Sequence, residues 1–200
     1  MTEGGSQPRN STTVKIIDSV SSVSPKEKEV KDLQNITPIT SKTKTAAGWV
    51  FEKLVHDRLG VGEATLTIFN STDRRDIQSS SHFLPGTLAG LKEVGTSKSF
   101  YWIPSVANFP GIDSVLGNGA HIYTIQATIT DEHKSPEDGI KKVWGQLLPQ
   151  IRTSCTWHFV VMTNSTQTAE RYETKFTTDL AQFRLGRDTT VRVWAGVLTK

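Results

Sequence analysis

The sequence predicts an α/β domain: a mixed β-sheet flanked by helices. Three observations predict it. Apolar and polar residues alternate with period two in several short runs, the pattern of strands. A segment near residue 50 has apolar residues at helical spacing instead. A second amphipathic helix separates two of the strand runs, crossing between Thr130 and Thr156, and such a crossover belongs to an α/β sheet.

Residues 1–44 are rich in Ser, Thr, Lys and Pro and contain no aromatic residue. They read as a disordered arm, with VSPKEKEVKDLQN able to form a turn or two of solvated helix after Pro25. The α/β domain is expected over residues 45–200. In TAAGWVFEKLVHDRLG, Val50, Phe51, Leu54, Val55 and Leu59 fall on one helical stripe and Gly60 is a stop signal. ATLTIFN alternates as a strand; STDRRDIQSSSHFLPGT reads as a loop with Arg74 and Arg75 exposed; SKSFYWIP is a short aromatic strand ended by Pro104. Two strands then surround a Gly117-Asn118-Gly119 turn, the second running from His121 to Thr130 with one buried face. Ser135, Pro136, Glu137 and Asp138 open a helix carrying Ile140, Val143, Trp144, Leu147 and Leu148, which Pro149 ends. TWHFVVMTN is a buried strand, RYETKFTTDLAQFRLGRD a polar stretch with room for a short helix, and VRVWAGVLTK the last strand.

Composition narrows the function. The net charge of +3 and pI near 9.0 permit an anionic partner without requiring one. A single cysteine, Cys155, excludes an internal disulfide framework and a cysteine-rich zinc site. No apolar run has the length of a membrane span, and the N-terminus lacks a signal-peptide core, so the expected location is cytoplasm or nucleus. There is no GxxxxGK[ST] phosphate loop and no GxSxG elbow. His121, His133 and His158 lack metal-ligand spacing. Phe100, Tyr101 and Trp102 read either as base-stacking residues or as a buried edge strand.

The chemistry concentrates in residues 109–133, where Asp113 precedes one strand and Thr124, Gln126, Thr128 and Thr130 form a polar row on the next. Glu52, Asp113 and Gln126 together would supply hard oxygen ligands for Mg²⁺, which polarises a phosphoryl oxygen and activates water. The cation such a site needs is absent from the strand, because Thr128 has no charge; Lys141 or Lys142 on the following helix is the candidate source. The plainer alternative is a turn-capping aspartate, a solvated Glu52–His56 pair and a wet hairpin face.

GWVFEKLVH, YWIPSVANFPGIDSVL, IYTIQATITDEH and GIKKVW, in that order, resemble the nuclease-like domain of Crinkler and retrotransposon hot spot type proteins, within the PD-(D/E)xK restriction-endonuclease-like superfamily. The resemblance spans roughly residue 48 to the C-terminus. It implies a restriction-endonuclease-like fold, DNA as partner, Mg²⁺ as cofactor, and an effector delivered to a host nucleus. Glu52 then matches the acid of the first helix, His56 the histidine four positions on, Asp113 the metal-binding acid and Gln126 the second ligand position. Thr128 stands at the lysine position, His133 matches a histidine after the strand, and His56, Thr128, His133 and Lys142 would lie beside nucleic acid. The P-loop ATPase module that commonly precedes such domains is not among these 200 residues. A pseudo-nuclease binding nucleic acid or a host protein is the rival implication.

Overall fold

The computed structural model describes residues 46–61, 64–95, 99–130 and 134–199, all within the unit Lys44–Lys200. The expected arm and His133 lie outside the described residues.

The described residues hold four α-helices and seven strands. Helix α1 is Ala46–Gly60, followed by β1 Thr65–Phe69, β2 Arg74–Gln78, a 3-10 turn Leu88–Glu93, β3 Phe100–Trp102, β4 Ser114–Asn118 and β5 His121–Ala127. Then come α2 Glu137–Gln146, α3 Pro149–Ser154, β6 Thr156–Thr163, α4 Thr166–Asp179 and β7 Val191–Val197. The strands form one mixed sheet in the order β2-β1-β7-β6-β5-β4-β3. β5, β6 and β7 are mutually parallel at its centre, and all other pairings are antiparallel. Helices α2 and α3 carry the chain from β5 to β6, and α4 from β6 to β7, as parallel neighbours require.

Two apolar cores lie on opposite faces of the sheet. On one, Phe51, Val55 and Leu59 of α1, spaced four apart, pack on Ile68, Ile77, Tyr101, Leu116, Ile125 and Met162. On the other, Ile140, Ile151, Tyr172 and Phe176 of α2, α3 and α4 pack on Trp157, Phe159, Val161 and Val193. The sheet curls. Past β2 the chain reaches the far edge, where Tyr101 N–H donates to His82 O at 2.8 Å and Leu84 N–H to Tyr101 O at 2.9 Å. Asn118 Nδ2 also donates to Gln78 O at 3.3 Å, linking β4 to β2.

Several expectations are corrected. The loop expected after β1 contains β2, whose Arg75 is half-buried rather than exposed. The turn between β4 and β5 is Gly119-Ala120, with Gly119 at φ +60°; Gly117 lies inside β4, where an added Cβ would sit 2.3 Å from the Phe100 ring. β5 ends at Ala127 and is buried on both faces, so its alternation separates two cores and not core from water. Pro149 opens α3 instead of merely ending α2, with Pro in the first turn. Helix α2 starts at Glu137, one residue after Pro136, and Ser135 Oγ makes only a 3.4 Å contact with Glu137 N. The first half of the polar stretch after β6 belongs to a fourteen-residue helix, Thr166–Asp179, capped by Ser165, whose Oγ accepts from Thr168 N at 3.2 Å. Phe100, Tyr101 and Trp102 are buried, so none offers a ring to a base, and Cys155 is a buried free thiol.

Candidate functional site

Asp113 is delivered by a clamped loop. Gly111 has φ +61°, and a Cβ there would lie 2.5 Å from Ser135 O; one on Gly139 would lie 2.0 Å from Pro110 O. The approach to β4 therefore presses on the start of α2, and only glycines permit it. Asp113 N–H donates to Ile125 O at 2.7 Å, and Asp113 Oδ2 accepts from Ala127 N–H at 2.8 Å. The half-buried carboxylate thus replaces a strand acceptor beside the end of β5.

Gln126 stands between those two partners. It is 4% exposed, and its Oε1 has no hydrogen-bond partner among the described residues. A buried acceptor left unsatisfied costs roughly 1–3 kcal/mol. Ile122 belongs to the core under α2 and α4, whereas Tyr123, Ile125 and Ala127 belong to the core under α1. By strand alternation Gln126 starts on the Ile122 side, away from α1.

From the α1 side a polar row approaches the same strand end. Glu52 Oε1 lies 3.6 Å from His56 Nε2, as their four-residue spacing predicts. His56 Nδ1 is 2.7 Å from Tyr101 Oη, and the Tyr101 hydroxyl donates to Ser114 Oγ at 3.0 Å. With its one proton given to Ser114, Tyr101 Oη must accept, so His56 carries its proton on Nδ1. Burial pushes the Tyr101 pKa well above the usual phenol value; the Ser114 hydrogen bond opposes this, and the charges of Asp113 and Glu52 add to it. Both carboxylates are thus felt at one phenol, which stays a neutral donor.

The remaining candidates lie elsewhere. Thr128 is buried and turned back on Thr130, accepting from its N–H at 3.1 Å. Lys141, exposed on α2, lies 3.6 Å from Glu137 and 5.2 Å over the Phe183 ring. Lys142 lies 5.8 Å over Phe109, beside a cavity of about 230 Å³ lined also by Trp102 and Pro110. Sequence reasoning missed Tyr101 and Ser114 as members of the row. Their signal was faint: one hydroxyl in an aromatic strand and one serine after Asp113.

Two carboxylates and an amide oxygen would suit a hard cation such as Mg²⁺, but the alternation that turns Gln126 away from α1 separates it from Glu52, so the structure brings Asp113 and the orphaned Gln126 Oε1 to one strand end without Glu52. Among the described residues no group of three or more His, Cys, Asp or Glu side chains could hold a metal ion, so the set depends on the amide. No protein family, curated protein or solved structure matches the chain. Among the described residues no helix is long and apolar enough to cross a membrane.

Proposed function

We propose that this is a nuclease-like domain of the restriction-endonuclease-like type, resembling the Crinkler and retrotransposon hot spot domains and acting on DNA with Mg²⁺. The observation that supports the reading is that the Asp113 carboxylate, held on Ala127 N–H, and the orphaned Gln126 amide oxygen stand at the same end of β5. The element order supports it: a helix, an antiparallel run of β3, β4 and β5, a helical crossover, and β6 parallel to β5. Asp113 and Gln126 would hold the metal, and Glu52, the third oxygen donor the sequence offers, approaches the strand end from the opposite, α1 side. When bound, Mg²⁺ supplies Lewis-acid polarisation of the phosphoryl oxygen and an activated water. Asp113 is held on the Ala127 N–H, and the His56–Tyr101–Ser114 hydrogen bonds tie α1 to β4 beside Glu52.

A specific observation favours a second reading, a pseudo-nuclease that binds nucleic acid or a host protein. Thr128 fills the lysine position, and Lys141 and Lys142 lie over aromatic rings. Cleavage of plasmid and linear DNA with Mg²⁺ or Mn²⁺ separates the two. The nuclease reading expects cleavage that Asp113→Ala and Glu52→Ala abolish while both variants stay folded. No cleavage with either metal, beside DNA binding that weakens steeply with salt, selects the pseudo-nuclease. Cleavage unchanged in Asp113→Ala removes the site assignment.

A further inference from the structure

A second polar cluster sits at the other end of the parallel strands. His121 opens β5, His158 lies near the start of β6 opposite Tyr123 and Arg192, and Arg75 comes from β2. Trp194 of β7 belongs to the core beneath α1, and the Arg75 guanidinium lies 5.5 Å over its ring. Asp113 and Gln126 lie at the opposite, C-terminal end of β5, and the two clusters share no residue.

Hydrogen-bond direction is set here from the inside outward. Trp194 Nε1 lies 2.9 Å from His158 Nδ1, and an indole nitrogen only donates. His158 Nδ1 therefore accepts, and its proton resides on Nε2, 3.1 Å from His121 Nδ1. His121 Nδ1 must accept in turn. Arg75 Nη1, 3.4 Å away, is a second donor to the same atom. The remaining proton of His121 is on Nε2, as a neutral donor. Tyr123 stacks on His158 with ring centroids 4.6 Å apart and locks that ring. Burial first, then the positive charges of Arg75 and Arg192, hold the His121 pKa below its ordinary value.

Among the described residues no carboxylate makes an ion pair with Arg75 or Arg192; Lys53–Asp57 and Lys141–Glu137 pair elsewhere. Two guanidinium groups and a neutral imidazole with one N–H to give thus stand near one another at this end of the sheet, brought from three strands. Arg75 is half-buried and stacked, so its fork is oriented before any ligand arrives. We infer that Arg75, Arg192 and His121 bind a phosphate group, carried by a free phosphate, a nucleotide or a nucleic-acid backbone. A tetrahedral phosphate presents oxygens in several directions and can answer two guanidinium groups and an N–H at once, which a planar carboxylate answers less well.

Calorimetry on the full chain at low salt tests this with three probes: inorganic phosphate, a nucleoside 5′-monophosphate and a short oligonucleotide. Saturable binding is expected, weakened about tenfold by Arg75→Gln and by Arg192→Gln, since each removes charge-assisted hydrogen bonds. Lys175→Gln on α4, which removes one charge across the sheet, should leave affinity unchanged. Arg75→Lys keeps the charge and loses the fork, and should bind between the wild type and Arg75→Gln; thermal unfolding checks that each variant folds. Binding of the small probes alone assigns the site to a free phosphate or nucleotide; binding of the oligonucleotide with the same arginine dependence assigns it to the backbone. Absence of saturable binding with all three probes, or affinity indifferent to Arg75 and Arg192, overturns the inference.

Discussion

His158 makes the stability of the domain depend on acid. It is fully buried, facing Tyr123 and His121 from β5, Trp194 and Arg192 from β7, and Arg75 from β2. Burial chiefly, then the nearby His121, Arg75 and Arg192, push its pKa from 6.5 down to about 3. Unfolded, the imidazole titrates near its ordinary value. Between those two values the unfolded chain holds more protons than the folded one, so stability rises with pH. The contribution is fully present above about pH 6.5 and is lost progressively as pH falls towards about 3. The whole window is worth roughly 5 kcal/mol, and lowering the pH from 7 to 5 should remove about 2 kcal/mol of it. Other groups titrate in the same range, so the test is a difference. In His158→Asn the amide oxygen can still accept from Trp194 Nε1, but nothing there titrates. Urea unfolding of both proteins at pH 7 and pH 5 should show the wild type losing about 2 kcal/mol more than the variant. Equal losses, or a His158 imidazole signal titrating near pH 6.5 in the folded protein, would refute the reasoning.

Other substitutions report on single contacts. Ser165→Ala removes the α4 cap and should cost about 1 kcal/mol in urea unfolding. Gly117→Ala drives a methyl group into the buried Phe100 ring and should destabilise by roughly 1–3 kcal/mol, read as a lower thermal midpoint. Tyr101→Phe strips the hydroxyl shared by His56 and Ser114; a loss of roughly 1–3 kcal/mol in chemical denaturation is expected. The same variant should lower any Mg²⁺-dependent DNA cleavage, measured by plasmid nicking, because the brace between α1 and β4 is gone.

The strong periodic signals in the sequence survived folding. Of the expected helical stripe, Phe51, Val55 and Leu59 are the buried α1 face while Val50 is exposed; the run from Thr156 to Thr163 is β6 and the chain from Val191 is β7, because burying apolar side chains at period 3.6 or 2 needs no distant information. Glu52 and His56 were legible as neighbours for the same local reason. Arg74–Gln78 was not legible as a strand: its polar residues pair with β1, and only Ile77 reaches the core. Helix α4 was under-read because its exposed face is as polar as a loop, while Tyr172 and Phe176 are buried by a sheet the local sequence does not reveal.

At the candidate site the division has the same cause. Residue types determined the possible chemistry, with Asp113, Glu52 and Gln126 as oxygen donors and Thr128 unable to act as a cation. Tertiary structure alone decided which of them meet. Curling and strand register brought Tyr101 between His56 and Ser114 and left Gln126 Oε1 buried without a partner. They also joined His121, His158 and Trp194, though His121 and His158 lack ligand spacing in the sequence. Spacing along a chain predicts contacts within one element. Contacts between strands depend on sheet order and register, which long-range burial on both faces selects.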